Sequence, residues 1–151
     1  MPPVTDRIEK QIQLRAPPSR VWRALSDAGE FGRWFGLRFE GQFAPGAEMK
    51  GALTIKGYEN VPFALTIERM EPERHFSWRW HPAAVKAGVD YSKEPTTLVS
   101  FELREVPGGT LLTVVESGFD GIPLSRRAEA LKMNDHGWGQ QLLNLERHVA
   151  A

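Results

Sequence analysis

SRRAEALKMNDHGWGQQLLNLERHV, residues Ser125 to Val149, is the stretch that decides the fold of this chain. Five apolar side chains recur in it at steps of seven, four, three and four residues, which places them on one stripe of an α-helix. They are Leu131, Trp138, Leu142, Leu145 and Val149. Asn134, Asp135, Gly137 and Gly139 interrupt the stripe. We therefore expect one half of the helix to pack on a core, and the other half either to loosen or to face a wet cavity.

The core that this helix covers is predicted to be a β-sheet. Upstream of the helix, short apolar runs alternate with Gly, Pro and Asn residues, which is typical of strands joined by hairpins. Phe76, Trp78 and Trp80 alternate with polar residues, so one face of the sheet is strongly apolar. The predicted strands are Leu37 to Gly41, Ala47 to Ile55, Val61 to Met70, Arg74 to His81, Thr97 to Val106 and Thr110 to Ser117.

The beginning of the chain adds one more strand and two short helices. Ile8 to Ala16 alternates as a half-buried strand, and the prolines that follow suit the first turn of a helix at Ser19 to Leu25. Asp27 is placed to cap a second helix, Glu30 to Phe35, which Gly36 ends. The sum is a single α+β domain over residues 1–151, in which a long helix lies across a curved antiparallel sheet and leaves an internal cavity.

One segment is too long for a simple hairpin connection. Residues 82–95 run from Pro82 to Pro95 and are of mixed character between these prolines. Loops of this length are uncommon unless they serve a function. We interpret residues 82–95 as a candidate lid over the cavity.

Composition excludes several classes of function. The 19 basic and 19 acidic residues cancel, so the chain offers no field for nucleic acid or anionic lipid. It contains no cysteine, which excludes disulfides, thiol chemistry and iron–sulfur clusters. There is no apolar run of signal-peptide or membrane-spanning length. We expect a cytoplasmic protein that binds neither nucleic acid nor membranes.

Four pieces of the sequence, in order, resemble a known family. They are APPSRVWRALSD at Ala16 to Asp27, RWFG at Arg33 to Gly36, GGTLLTVVESGF at Gly108 to Phe119, and GWGQQLLNLERHV at Gly137 to Val149. In these pieces the chain resembles the START-like (SRPBCC) superfamily, and within it the bacterial proteins similar to activator of Hsp90 ATPase homologue 1. The resemblance implies the helix-grip fold, also called the Bet v 1 or START-like fold, with the order β-α-α-β6-α and a cavity between sheet and final helix.

The aromatic residues have two interpretations. They can simply fill the core, where each buried ring contributes about 2 to 3 kcal/mol, or some of them can line a pocket for a flat or hydrophobic ligand. On the second interpretation the apolar walls would be Trp34, Trp78, Trp80, Phe101, Trp138 and Leu142. The polar contacts would be His81, Asn134 and Gln141.

Nothing in the sequence points to catalysis or to a cofactor. No serine lies in a nucleophile elbow, no glycine-rich dinucleotide loop is present, and the histidines lack metal-binding spacing. We therefore predict no catalytic residues, no metal and no cofactor. The polar groups that are candidates for acid–base chemistry in a pocket are Asn134, Asp135, Gln141, Asp90, Tyr91 and Glu116. Asp135 is expected at a solvated edge, and Glu116 is interpreted as an exposed cross-strand partner of Arg104.

Three functions remain open at this point. The leading hypothesis is a protein, more a binder than an enzyme, that holds a small hydrophobic or aromatic molecule in its cavity. The alternatives are a stress- or chaperone-related interaction module, as the resemblance implies, and an enzyme of the cyclase or aromatase type. The expected partner is a small hydrophobic ligand, and further candidates are a chaperone and a second copy of the chain in a homodimer.

Overall fold

The structure, a computed structural model, describes residues 7–82 and 90–150. The described elements follow the predicted order of one strand, two short helices, six strands and a long helix. They are β1 (Arg7–Leu14), α1 (Pro18–Ser26), α2 (Ala28–Phe35), β2 (Leu37–Phe39), β3 (Glu48–Leu53), β4 (Pro62–Glu71), β5 (His75–Trp80), β6 (Thr97–Val106), β7 (Gly109–Ser117) and α3 (Leu124–Ala150). The predicted α+β helix-grip architecture is confirmed.

The strands form one antiparallel sheet in the order β1-β7-β6-β5-β4-β3-β2. Strands β2 to β7 form a consecutive meander, and its last strand, β7, pairs with β1 in a register that places Ile8 opposite Glu116. The pairing of β4 with β5 shifts between Ile67 and Arg69. A bulge of this kind bends a strand and increases its twist, which helps the open sheet to curve around the long helix.

Local sequence signals set the start and the end of α2. The Asp27 carboxylate accepts a hydrogen bond from the Glu30 N–H at 2.9 Å and caps the helix. Gly36 ends it in the left-handed conformation, with a φ of 96°. A Cβ on Gly32 would lie 2.2 Å from the carbonyl oxygen of Leu37, so only glycine allows α2 to approach β2 so closely. Phe35 is thereby brought against the sheet, with its ring centre 6.0 Å from Trp80 and 6.3 Å from Phe63.

The long helix α3 is continuous through the section that was expected either to loosen or to face a wet cavity. Its buried residues are Ala130, Trp138, Leu142, Leu145 and Val149. Leu131 is only half-buried, because Ala130 takes the inward position at that turn. A Cβ on Gly137 or Gly139 would meet no atom within 4 Å, so neither glycine is needed for close packing.

The described flanks of the candidate lid are attached to the start of α3. Residues 83–89 of this segment lie outside the described residues. Arg126 donates to the carboxylate of Glu94 at 2.7 Å and to the carbonyl oxygen of Pro82 at 2.9 Å. Its guanidinium also lies 4.8 Å from the centre of the Tyr91 ring. Both described flanks are thus held together, while the function of the segment as a lid stays a prediction.

Candidate functional site

A carboxylate lies at the centre of the space between sheet and helix. On β7, Leu112, Val114 and Glu116 share one face, and all three are 0% exposed. The Glu116 oxygens accept hydrogen bonds from four neutral side chains. The donors are Trp80 Nε1 at 2.7 Å, Thr97 Oγ1 at 2.6 Å, Trp138 Nε1 at 2.8 Å and Asn134 Nδ2 at 2.9 Å. A single carboxylate therefore connects β5, β6, β7 and α3.

The interpretation of Glu116 as an exposed partner of Arg104 is wrong. Glu116 lies opposite Val99 and Ile8, whereas Arg104 lies opposite Leu111 and is exposed. A charged residue is rarely buried without compensation, which is why the sequence favoured exposure. The signal that would have corrected this is positional, since Glu116 has the same parity on its strand as Leu112 and Val114.

Large rings fill the space around this carboxylate. Trp138 of α3 packs on the sheet with ring centres 5.6 Å from Phe101, 5.9 Å from Trp80 and 6.3 Å from Trp78. Trp78 also meets Phe31 of α2 edge to face at 5.4 Å. These rings form a packed layer between the sheet and the helices.

Open space remains beside that layer, in a pocket of about 610 Å³. The volume lies within the range of small-molecule sites. The pocket is formed by the end of α2, the turn after β3, strands β4 and β5, and the middle of α3. Its lining residues are Arg33, Trp34, Phe35, Gly36, Leu53, Ile55, Tyr58, Phe63, Trp80, His81, Met133, Asn134, His136, Gly137, Gln140, Gln141 and Asn144.

Hydrogen bonds fix several of the pocket's side chains. Gln141 Nε2 donates to the carbonyl oxygen of Phe35 at 2.8 Å, and Gln141 Oε1 accepts from Asn144 Nδ2 at 3.1 Å. Trp34 Nε1 donates to the carbonyl oxygen of Ala24 at 2.8 Å. These hydrogen bonds tie α2 to α1 and to α3 and hold the walls in place.

A family model for activator of Hsp90 ATPase homologue 1-like proteins matches residues 15–150 of the chain. The chain belongs to this family. A comparison with curated protein sequences found no match.

Solved structures share the fold of this Hsp90-ATPase-activator-homologue-like chain. A protein from Mesorhizobium loti is 22% identical, with a TM-score of 0.75 over 95% of this chain and 96% of the other. A protein from Arthrobacter aurescens is 15% identical, with a TM-score of 0.78 over 97% and 87% of the two chains. The Aha1 dimer from Colwellia psychrerythraea is 17% identical, with a TM-score of 0.70 over 95% of each chain. At these identities the likeness shows the fold alone.

The residues predicted to bind a ligand divide into two groups in this family member. Trp34, Trp80, His81, Asn134 and Gln141 line the pocket. Trp78, Phe101, Trp138 and Leu142 do not line it and are buried in the packed layer behind. Trp80 and Asn134 belong to both the pocket and the cluster around Glu116. That the five lining residues contact a ligand stays a prediction.

Sequence reasoning found Trp34 of α2 but missed other wall residues from α2, from the turn after β3 and from β4. Phe35, Phe63 and Tyr58 line the pocket, as does Arg33. The RWFG motif was the available signal, because it carries Arg33, Trp34 and Phe35 in three successive positions. The position of Tyr58 in a turn gave no periodic signal.

An ion cluster anchors the pocket's α2 wall to the other two helices. Glu30 of α2 accepts from Arg20 Nη1 at 2.8 Å and Arg23 Nε at 3.0 Å, and its Oε1 lies 2.9 Å from His148 Nε2 of α3. Burial raises the pKa of Glu30, but the hydrogen bonds from His148 and Arg20 and the charges of Arg20 and Arg23 outweigh it. The pKa of Glu30 is consequently lowered from its usual value of 4.5.

His81 joins the pocket to the described end of the candidate lid. It follows the last residue of β5, lines the pocket, and its Nε2 lies 3.0 Å from the carbonyl oxygen of Glu94. Within residues 7–82 and 90–150, no three His, Asp or Glu side chains are grouped so that they would hold a metal ion. None of the helices of that part of the chain is long and apolar enough to span a membrane.

Proposed function

We propose that this protein binds a small apolar or aromatic molecule in the pocket between α2, the sheet and α3, and that binding rather than catalysis is its function. The observation that carries the proposal is the pocket itself, 610 Å³ in volume and walled by Trp34, Phe35, Phe63 and Trp80. Apolar walls with a few polar groups at fixed positions are the usual composition of a small-molecule site.

The polar side chains of the pocket suit recognition better than acid–base chemistry. Among the described residues, no Asp or Glu lines the pocket. Glu116 lies behind Trp80 and Asn134, and both of its oxygens already accept hydrogen bonds from side chains. A general base must be within hydrogen-bond reach of the proton that it removes, and no carboxylate in the described lining meets that condition.

A second candidate is an interaction with a chaperone ATPase, which the family's description favours. The rim of the pocket exposes Ile55, Tyr58 and Met133 at 39%, 43% and 39%. These three side chains are apolar surface that a protein partner would cover.

A homodimer belongs to the same proposal, because the related structure from Colwellia psychrerythraea is described as a dimer. We place this activity in the cytoplasm, in keeping with the absence of cysteine.

A fluorescent probe tests the pocket directly. N-phenyl-1-naphthylamine is a neutral apolar dye that becomes fluorescent in an apolar site. We expect it to bind the wild-type protein with micromolar affinity and to occupy a single site. The blocking variant is Gly137→Phe, because Gly137 lines the pocket and has space around its Cβ position.

The matched control is Gly139→Phe. Gly139 is in the same helix and also has space around its Cβ position, but it does not line the pocket. We expect Gly137→Phe to weaken dye binding by about tenfold or more, which corresponds to about 1.4 kcal/mol, and Gly139→Phe to leave it unchanged. Absence of binding to the wild type, or equal effects of the two variants, would contradict the proposal.

A further inference from the structure

Arg33 belongs to the walls of two depressions on the surface. One is the pocket described above. The other is a groove of about 490 Å³ where α2 meets β2, lined in part by Gly29, Gly32, Arg33, Arg38 and Gln42, which we call the arginine groove. The Arg33 guanidinium lies towards this groove, since its Nη2 is 3.8 Å from the position of a Cβ on Gly29.

The described linings of both depressions contain arginine and no carboxylate. The Asp27 carboxylate lies outside these linings, 3.2 Å from the same Gly29 Cβ position. Among the described residues, neither lining contains Asp or Glu, whereas Arg33, His81 and His136 line the pocket and Arg33 and Arg38 line the groove. The chain as a whole has 19 basic and 19 acidic residues. The basic character of this surface is therefore a local feature and does not follow from the overall charge.

Arg33 and Arg38 also differ from other arginines of the protein. Arg20, Arg23, Arg79 and Arg126 each form an ion pair with a carboxylate. Within residues 7–82 and 90–150, the side chains of Arg33 and Arg38 form no hydrogen bond or ion pair, and both residues are exposed. Their guanidinium groups are thus free to bind an oxyanion, for which the planar fork of donors is well matched.

The apolar walls adjoin this basic surface through consecutive residues of one helix. Arg33 faces outward while Trp34 and Phe35, the next two residues of α2, are buried and wall the pocket. Because Arg33 itself also lines the pocket, a molecule lying against Trp34 and Phe35 can place one end at Arg33.

We propose that the ligand is an amphipathic anion whose apolar body occupies the pocket and whose carboxylate or phosphate group is bound by Arg33, with Arg38 of the adjoining groove in support. This inference rests on the proposed function, because it assigns the chemical class of the molecule that the pocket takes. Recognition of the anion is electrostatic and is weakened by added salt.

A displacement series separates the anion from the apolar body. The reporter is N-phenyl-1-naphthylamine, which carries no charge, and the competitors are decanol, decanoate and decyl phosphate, which share one alkyl chain. In the wild type we expect the anions to displace the dye at concentrations about tenfold lower than decanol does, which is the effect of one charge-assisted hydrogen-bonding group. Whichever of decanoate and decyl phosphate competes better identifies the preferred anion.

The variant is Arg33→Gln, and the control is Arg104→Gln, since Arg104 is an exposed arginine of β6 that lines neither depression. The preference is measured in each variant as the ratio of the decanol to the decanoate concentration that displaces half of the dye, so that a change in dye affinity itself cancels. Arg33→Gln should lose most of this preference for anions, and Arg104→Gln should keep it. If the dye binds but decanol competes as well as the anions, or if both variants retain the preference, the inference is overturned while the proposed function stands. If the dye does not bind the wild type, the proposed function fails and this inference fails with it.

Discussion

Glu116 accepts hydrogen bonds from two tryptophans, a threonine and an asparagine, all uncharged. A buried carboxylate without such donors would be strongly destabilising, and hydrogen bonds to a charged group contribute about 1.5 to 3 kcal/mol each. The same bonds fix the rings of Trp80 and Trp138. Glu116 is thus a positioning residue for the back wall of the pocket.

Replacing Glu116 with glutamine tests this positioning role. The amide N–H₂ group of Glu116→Gln would face donors at whichever oxygen it replaced, so at least one buried donor would lose its acceptor. We expect a loss of about 2 to 4 kcal/mol in the free energy of unfolding, measured by urea denaturation. Glu105→Gln, at an exposed position of the neighbouring strand β6, is the control and should change stability by less than about 0.5 kcal/mol. Equal effects of the two substitutions would contradict the assigned role of Glu116.

Glycines in the two helices should respond to alanine with opposite signs. A Cβ on Gly32 would lie 2.2 Å from a backbone oxygen of β2, which cannot move without shifting the strand. Gly32→Ala should therefore destabilise the protein by about 2 kcal/mol or more. A Cβ on Gly139 of α3 would meet open space. Gly139→Ala should therefore stabilise the protein by about 0.5 to 1 kcal/mol through the higher helix propensity of alanine. Thermal unfolding of both variants checks the two signs, and stabilisation by Gly32→Ala would contradict the close contact of α2 with β2.

At the scale of elements, the ion cluster at Glu30 joins α1, α2 and α3. The Glu30 side chain is only 13% exposed, so its ion pairs are screened less than those at the surface. Because α2 supplies Trp34 and Phe35 to the pocket, the cluster also holds one wall of the site.

The lowered pKa of Glu30 predicts a pH dependence of stability. Its pKa in the folded state is below the value of 4.5 that it has when unperturbed. Its contribution is therefore fully present above that value and is lost as the pH falls through the lower, folded-state pKa. We expect Glu30→Gln to be less stable than the wild type near neutral pH and the difference to shrink in acid, measured as melting temperatures across the pH range. Glu146→Gln, at an exposed position of α3, should follow the wild type at every pH. A difference for Glu30→Gln that stays constant into acid would contradict this origin of the stability.

Element boundaries were predictable wherever a local chemical signal exists. Asp27 and Gly36 mark the start and end of α2 in the sequence, and the alternation of Phe76, Trp78 and Trp80 marks a strand. The inward turn of α3 at Ala130 rather than Leu131 was not predictable, because a small side chain gives a weak hydrophobic signal.

At the scale of the whole molecule, the sequence predicted the fold better than the site. Strand order and helix placement follow from periodicity and from short connections, and both depend on local sequence. Whether an aromatic ring lines a pocket or fills a core depends on how three elements meet. Trp78 and Trp80 are two residues apart with the same parity, yet Trp80 lines the pocket and Trp78 does not. The burial of Glu116 likewise required donors from three other elements, which no single stretch of sequence reveals.

The pocket beside the packed layer of rings is proposed to hold a small molecule. Native mass spectrometry of the protein purified from its own host tests this most directly, with Gly137→Phe and Gly139→Phe prepared in the same way. We expect a bound small molecule on the wild type and on Gly139→Phe, and its loss from Gly137→Phe. Wild-type protein that is free of any bound molecule in repeated preparations, or an adduct that Gly137→Phe retains in full, would contradict it.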